Sequence, residues 1–233
     1  MLNIYEYHDD AKSLPLYNEL ERNIKFLNKY FYWGDSISKS DLAPVLNAIK
    51  KNPKLAFYYA ATILDNRLPE CEPIIMTNPE YAYLYARGII RGRWPEAEPI
   101  IIKTPQWAYW YSKDVIKGRW PEAEPRIMKD LVYVTGYAKD VIKGRWLDAE
   151  PYIMKIPKHS YQYVVSILAK DPDWTSMNGH ENGRWPDAEP YIMKDPEHAY
   201  KYAVHILRER WPEAEPYIKK IPNYWTPYDN FFG

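Results

Sequence analysis

Six pairs of acidic residues, two positions apart, recur along the chain: Glu70/Glu72, Glu96/Glu98, Glu122/Glu124, Asp148/Glu150, Asp187/Glu189 and Glu213/Glu215. Paired carboxylates can do acid–base catalysis when their surroundings push the two pKa values apart. They can also hold a metal when other ligands complete the shell. Catalysis needs one such pair in one pocket. Six copies in one repeated slot read instead as helix-start electrostatics, joined by inter-repeat pairing with nearby arginines. The histidines (His8, His159, His180, His198 and His205) bring no further ligands at metal-binding spacing. His159 and His198 share a repeat slot held elsewhere by Tyr81, Trp107 and Tyr133, a slot for a flat ring. The tripeptide "HDD" at 8–10 stands alone in a terminal segment. Cys71 occupies a slot filled elsewhere by Ala97, Ala123 and Ala149, so it reads as a small core residue. Phosphate-loop, dinucleotide and nucleophile-elbow signatures are missing from the sequence. The expectation is a protein that is not an enzyme, with no metal and no cofactor.

The acids sit inside a longer motif, "GRWPEAEP" at 92–99, repeated with small changes. Its arginine marks the period: Arg67, Arg93, Arg119, Arg145, Arg184 and Arg210 follow at steps of 26, 26, 26, 39 and 26 residues. Twenty-six residues before Arg67 is Asp41, and "DLAPVLNAIKKNP" (41–53) lies over "RLPECEPIIMTNP" (67–79) without a gap. About six and a half units therefore run over 41–221, with a 13-residue insert at 171–183.

Each unit reads as two helices. The first starts at Pro95, with Glu96 and Glu98 in its first turn, and ends before Thr104-Pro105. At about ten residues with two prolines, it is open in part to 3₁₀ geometry. The second opens after an N-capping Asn78, Thr104 or Asp195. Ala82, Tyr85, Ala86, Ile89 and Ile90 then mark one α-helical face. Gly92, Gly118 and Gly144, each after a basic residue, fall where a left-handed C-cap favours glycine. A unit this short cannot bury its face alone, so the fold class is all-α, a right-handed α-solenoid of stacked units. Small Ala82, Ala86, Ala108, Ala138, Ala199 and Ala203 permit close helix approach, and Tyr85, Tyr111, Tyr137, Tyr163 and Tyr202 form a ladder beside a tryptophan column.

The ends read as caps. An amphipathic helix over 11–32 makes 1–40 an N-terminal helical cap. Pro227, five residues after Pro222, is expected to stop the last helix. That leaves 222–233 as a tail, with Trp225, Tyr228, Phe231 and Phe232 folded over the last unit.

Charge and composition narrow the function. The 31 basic and 31 acidic residues cancel, which disfavours generic nucleic-acid binding. The 23 Tyr and 10 Trp, against 5 Phe, suit half-buried seams and binding surfaces. A single cysteine allows no intramolecular disulfide and fits a reducing, cytoplasmic setting. No secretory signal or membrane span is visible.

The stretch "GRWPEAEPIIIKTPQWAYWYSKDVIKGRWPEAEP" (92–125) resembles a repeat of uncharacterised proteins of tailed bacteriophages, with an R-W-P-E-A-E-P-x-I-x-K core and a following A-Y-x-Y-A helix. The resemblance covers roughly 67–221. It implies a viral origin, hence the cytoplasm of a host cell, and a helical solenoid, and attaches no activity.

In a repeat protein the departures from consensus are the candidates for specificity. One cluster joins Trp107 and Trp110 to Arg126, Leu131, Tyr133 and Thr135, where Leu131 replaces the helix-starting proline and makes an irregular start. It reads equally as an anchor pocket or as local repacking. The other is the insert, with Trp174, Asn178 and His180. It is a protease-sensitive bulge or added half-unit, and reads equally as functional or neutral. Three functions follow. The first is a monomeric binding protein whose curved surface grips a protein partner, a host or defence factor if the chain is phage-encoded. The second is a nucleic-acid binder using Arg91, Arg93, Lys103, Lys117, Arg119, Lys129, Lys143, Arg145 and Lys155. The third is a structural part of a virion.

Overall fold

A computed structural model describes residues 47, 49–177 and 179–233. The expected cap helix at 11–32, the "HDD" tripeptide, the repeat start at Asp41 and Asn178 lie outside the described residues. The chain divides into two compact units, Met1–Ile116 and Lys117–Gly233. Among the described residues every regular element is a helix.

The first unit holds helices Pro53–Tyr59, Glu72–Ile75, Pro79–Tyr85, Glu98–Ile101 and Pro105–Tyr111. The second holds Glu124–Ile127, Leu131–Tyr137, Glu150–Ile153, Pro157–Ser166, Pro172–Thr175, Glu189–Ile192, Pro196–Tyr202, Glu215–Ile218 and Pro222–Phe232. Outside the insert, where Pro172–Thr175 adds a further short helix, a four-residue helix and a longer one alternate, as the period predicts. The short helix starts three residues later than expected, at the second acid of each pair. The preceding proline makes only a turn, or a 3₁₀ turn at Pro69–Cys71 and Pro186–Ala188. Pro73 and its equivalents then take the first helical turn, where a missing N–H costs nothing.

Asparagine and aspartate cap the longer helices. Asn78 accepts from the N–H groups of Glu80 and Tyr81, and Asp195 from that of His198. Asn52 and Asp130 do the same, and Asp171 does so for the short Pro172–Thr175. Thr104 does not cap: its Oγ1 is buried without a partner.

The far end of the longer helix departs from expectation. After seven α residues the chain widens into a five-residue π turn at Ala60–Leu64, Ala86–Ile90, Ser112–Ile116, Ala138–Ile142 and Ala203–Leu207. Wider turns rotate successive side chains by less, so Ile89 and Ile90 drift off the buried face and are only half-buried. The left-handed cap falls two residues before the motif arginine, ahead of the glycine slot that Asn66 and Glu209 fill in the first and last motifs: Asp65, Arg91, Lys117, Lys143 and Arg208 have φ of 43°, 60°, 59°, 61° and 59°. The N–H of Arg91, and that of Gly92 at 3.2 Å, both bond the carbonyl of Ala86, closing the widened turn. Gly92, Gly118 and Gly144 are therefore not the left-handed residues, and a Cβ on any of them would meet nothing within 4 Å.

The core is the repeated set of Tyr85, Tyr111, Tyr137, Tyr163, Tyr202 and Tyr228, all with 0% exposure, with alanines and isoleucines between them. Within each unit a tryptophan lies on the tyrosine of the preceding repeat: Trp94 on Tyr85 at 5.1 Å, Trp146 on Tyr137 at 4.9 Å, Trp211 on Tyr202 at 5.4 Å between ring centroids. Pro227 does not stop the chain, because Pro222–Phe232 is one helix that carries Tyr228 into the same tyrosine slot. Tyr228 contacts Trp225 and Phe232, but Phe231 faces solvent and closes nothing.

The insert does not bulge freely. Asp171 caps the single turn Pro172–Thr175, and Trp174 is buried with its Nε1 donating to the carbonyl of Arg184 at 3.0 Å. Asn182, left-handed at φ 55°, takes the place that Lys143 holds one repeat earlier. Gly183 follows at φ 83°, where a Cβ would lie 2.4 Å from the backbone nitrogen of Ala169.

Candidate functional site

The acidic pairs are the first candidate, and the structure separates their members. The second acid of each pair is held by its own motif arginine, five residues back, through two charge-assisted hydrogen bonds in all motifs but the last, where Arg210 gives Glu215 one and turns its other nitrogen to Asp229. For Arg93–Glu98 and Arg119–Glu124 both are 2.8 Å; for Arg184–Glu189 they are 2.7 and 3.1 Å. The tyrosine of the next helix donates to the same carboxylate, Tyr111 to Glu98 at 3.0 Å and Tyr163 to Glu150 at 3.0 Å. That tyrosine oxygen also accepts the backbone N–H beside the arginine: Trp94 at 2.6 Å, Trp146 at 2.7 Å, Trp211 at 2.7 Å. Leu68 substitutes for tryptophan in the first copy and bonds Tyr85 at 2.7 Å. Six arginine–carboxylate–tyrosine clusters thus tie each short helix to the longer one that follows.

The close pairing lies within the motif, which corrects the expected inter-repeat pairs. The first acid of the following motif adds only a longer-range field, Glu96 on Arg67 and Asp148 on Arg119. Burial pushes the Tyr85 and Tyr137 phenols up to about 12, and raises Tyr111, Tyr163 and Tyr202 as well. They stay protonated donors at neutral pH. Hydrogen bonding to the paired glutamate raises the guanidinium pKa of Arg119 and Arg145. Arginine, carboxylate and tyrosine are thus engaged with one another. The first acids, Glu70, Glu96, Glu122, Asp148, Asp187 and Glu213, are exposed. Among the described residues no group of three or more His, Cys, Asp or Glu side chains can hold a metal ion. Cys71 is buried in its alanine slot, and burial raises its thiol pKa.

The residues singled out by sequence fall in both units, and each group is described within its own unit. Trp107 and Trp110 lie in the first unit, half-buried. Trp107 stacks on Tyr83, with centroids 5.6 Å apart, and Tyr83 donates to Asp114. Trp110 packs on Tyr109 at 4.9 Å and under the ammonium of Lys113 at 4.9 Å. Arg126, Leu131, Tyr133 and Thr135 lie in the second unit, half-buried. The helix start at Leu131 is not irregular: Asp130 caps it, accepting from the N–H of Val132 at 3.0 Å. Proline is dispensable at that position once the cap is present.

Thr135 marks a gap in a second aromatic series. A ring in its slot packs on the flat-ring slot of the next repeat: Phe57 on Tyr81 at 6.0 Å, Tyr161 on His198 at 6.0 Å, Tyr200 on Tyr224 at 6.2 Å. Thr135 has no ring to offer, and both its Oγ1 and the Nδ1 of His159, the next flat-ring slot, are buried without partners. His198 escapes this because Asp195 takes its Nδ1 at 2.7 Å. His159 has Ile156 in that capping position, and burial lowers its pKa.

In the insert, Trp174 is an internal wedge rather than an exposed anchor. The Arg145 guanidinium lies 3.9 Å from its ring centroid, and the His180 ring 3.9 Å away. His180 is half-buried, with an unpartnered Nδ1.

A further group joins Val132, which follows Leu131 in the first cluster of departures, to three residues that the sequence did not single out. Val132, Leu147, Tyr152 and Ile156 of the second unit are 65%, 63%, 58% and 43% exposed. Comparing slots exposes three of them. Val132 stands where Glu80, Gln106 and Glu197 are found, Leu147 where Pro95 and Pro121 are found, and Ile156 where Asp130 and Asp195 are found.

Set against known protein families, curated proteins and solved structures, the chain matches none of them. No helix among the described residues is long and apolar enough to cross a membrane.

Proposed function

We propose that the chain is a non-catalytic helical-repeat scaffold, its units stacked as a solenoid, that binds a partner protein. The observation that carries this reading is the exposed apolar set Val132, Leu147, Tyr152 and Ile156, in slots where polar residues or proline mostly stand elsewhere. Where exposed apolar side chains adjoin on a rigid frame, they mark an interaction surface. The engagement of each motif arginine with its glutamate and tyrosine supports the non-catalytic part. It also speaks against nucleic-acid binding, since Arg93, Arg119 and Arg145 of the basic stripe already hold carboxylates. The motif's resemblance to phage repeats makes a host or defence factor, obstructed by a monomeric scaffold in the host cytoplasm, the partner of choice.

The test is affinity capture from bacterial lysate, read by mass spectrometry, with the native chain and a Val132→Glu, Leu147→Pro, Tyr152→Arg, Ile156→Asp variant. Every replacement is a residue that the chain itself carries in the same slot. The native chain is expected to retain a partner that the variant, folded like the native chain by circular dichroism, loses. Equal recovery by both, or no protein above background, refutes the proposal.

A further inference from the structure

An open groove of about 500 Å³ runs between the last two motifs of the second unit. Pro186, Pro190, Met193, Leu207, Trp211 and Pro212 supply its apolar walls. Its charged lining is Arg184, Glu189, Glu209, Arg210 and Glu213. Both arginines are already engaged, Arg184 by Glu189 and Arg210 by Glu215 and Asp229. Glu209 and Glu213 are exposed. The groove therefore presents apolar walls and an acidic rim, Glu209 lying in the field of Arg184 but without a close ion pair to it. Glu209 is itself a departure: Gly92, Gly118, Gly144 and Gly183 hold its slot in four other motifs and Asn66 in the first, so this motif alone places an acid there.

We propose that this groove docks a basic segment of the partner protein, its lysine or arginine side chain laid along the proline and tryptophan walls with the cationic head between Glu209 and Glu213. The inference rests on the protein-binding reading and names the chemistry of one contact. A long basic side chain fits both parts of the groove, because its methylene stem covers apolar surface while its charged end meets carboxylate. An acidic or purely aliphatic segment meets an unmatched rim and gains less.

The probe is a fluorescein-labelled peptide of alternating arginine and leucine, followed by anisotropy at about 0.15 M salt, where distant charges are screened. Its glutamate–leucine counterpart is the control. The arginine peptide is expected to bind at least ~10-fold more tightly, and Glu209→Gly to weaken it by ~10-fold, the factor of one charge-assisted hydrogen bond. Glu209→Gly installs the residue four other motifs carry, so its melting temperature should match the native chain. Glu122→Gln, an exposed acid outside the groove, should leave binding unchanged. Equal affinity for the two peptides, or equal weakening by Glu122→Gln and Glu209→Gly, overturns the proposal. Lysate capture with Glu209→Gly/Glu213→Gln separates the two levels. A partner kept in full overturns the groove proposal and leaves the protein-binding reading standing. A native chain that binds the arginine peptide but captures no protein sinks the reading and keeps the groove.

Discussion

Tyr163 and its equivalents do two jobs with one oxygen, accepting a backbone N–H and donating to a carboxylate. Only the protonated phenol can do both, so stability is tied to pH. Burial raises these phenols above their ordinary value, to about 12 at Tyr85 and Tyr137. A group whose folded pKa is raised contributes stability that is fully present below the unfolded value of about 10 and is lost as pH climbs through the folded one. Denaturant unfolding should therefore show constant stability from pH 7 to 9 and a steep fall between about pH 10 and 12. The flaw at His159 can be repaired. Ile156→Asp restores the cap that Asp195 provides for His198, and should stabilise by about 1 kcal/mol in urea unfolding. It should also raise the His159 pKa, followed by NMR.

At the scale of the helix, periodicity made the alternation of helices, the tyrosine ladder and the asparagine and aspartate caps legible in the sequence. The π turns were not, because a wider hydrogen-bonded ring has no residue signature and the apolar spacing of Ala82 to Ile90 fits an α-helix equally well. That hidden turn moved the left-handed cap one residue earlier, onto Arg91 and its equivalents. The glycines then differ by context. Gly144→Ala should change stability by less than about 0.5 kcal/mol, since the added methyl group meets open space. Gly183→Ala, left-handed and against the backbone of Ala169, should cost ~2 kcal/mol or more. Thermal melts of the two proteins decide this. The exposed apolar residues were legible only in part: Val132 and Leu147 break their slots, but Ile156 shares its slot with Ile221, and Tyr152 with Tyr191 and Tyr217. Its exposure follows from packing that spacing does not encode.

For the molecule as a whole, the motif's regularity builds a frame and its departures decorate it. The insert belongs to the frame: Trp174 seals against Arg145 and Arg184, so trypsin should cut slowly at Arg184 in the native chain. Trp174→Ala, costing ~3 kcal/mol or more, should open that site to rapid cleavage. Slow cleavage of both proteins would show that the wedge does not hold the insert closed. In each acidic pair one member is a strut and its neighbour is not. Urea unfolding of Glu124→Gln beside Glu122→Gln, two positions apart in one motif, tests it most directly. Glu124 accepts from both Arg119 and Tyr137, so its loss should cost about 2 kcal/mol, while Glu122→Gln should stay within about 0.5 kcal/mol. Equal costs for the two variants would contradict the account.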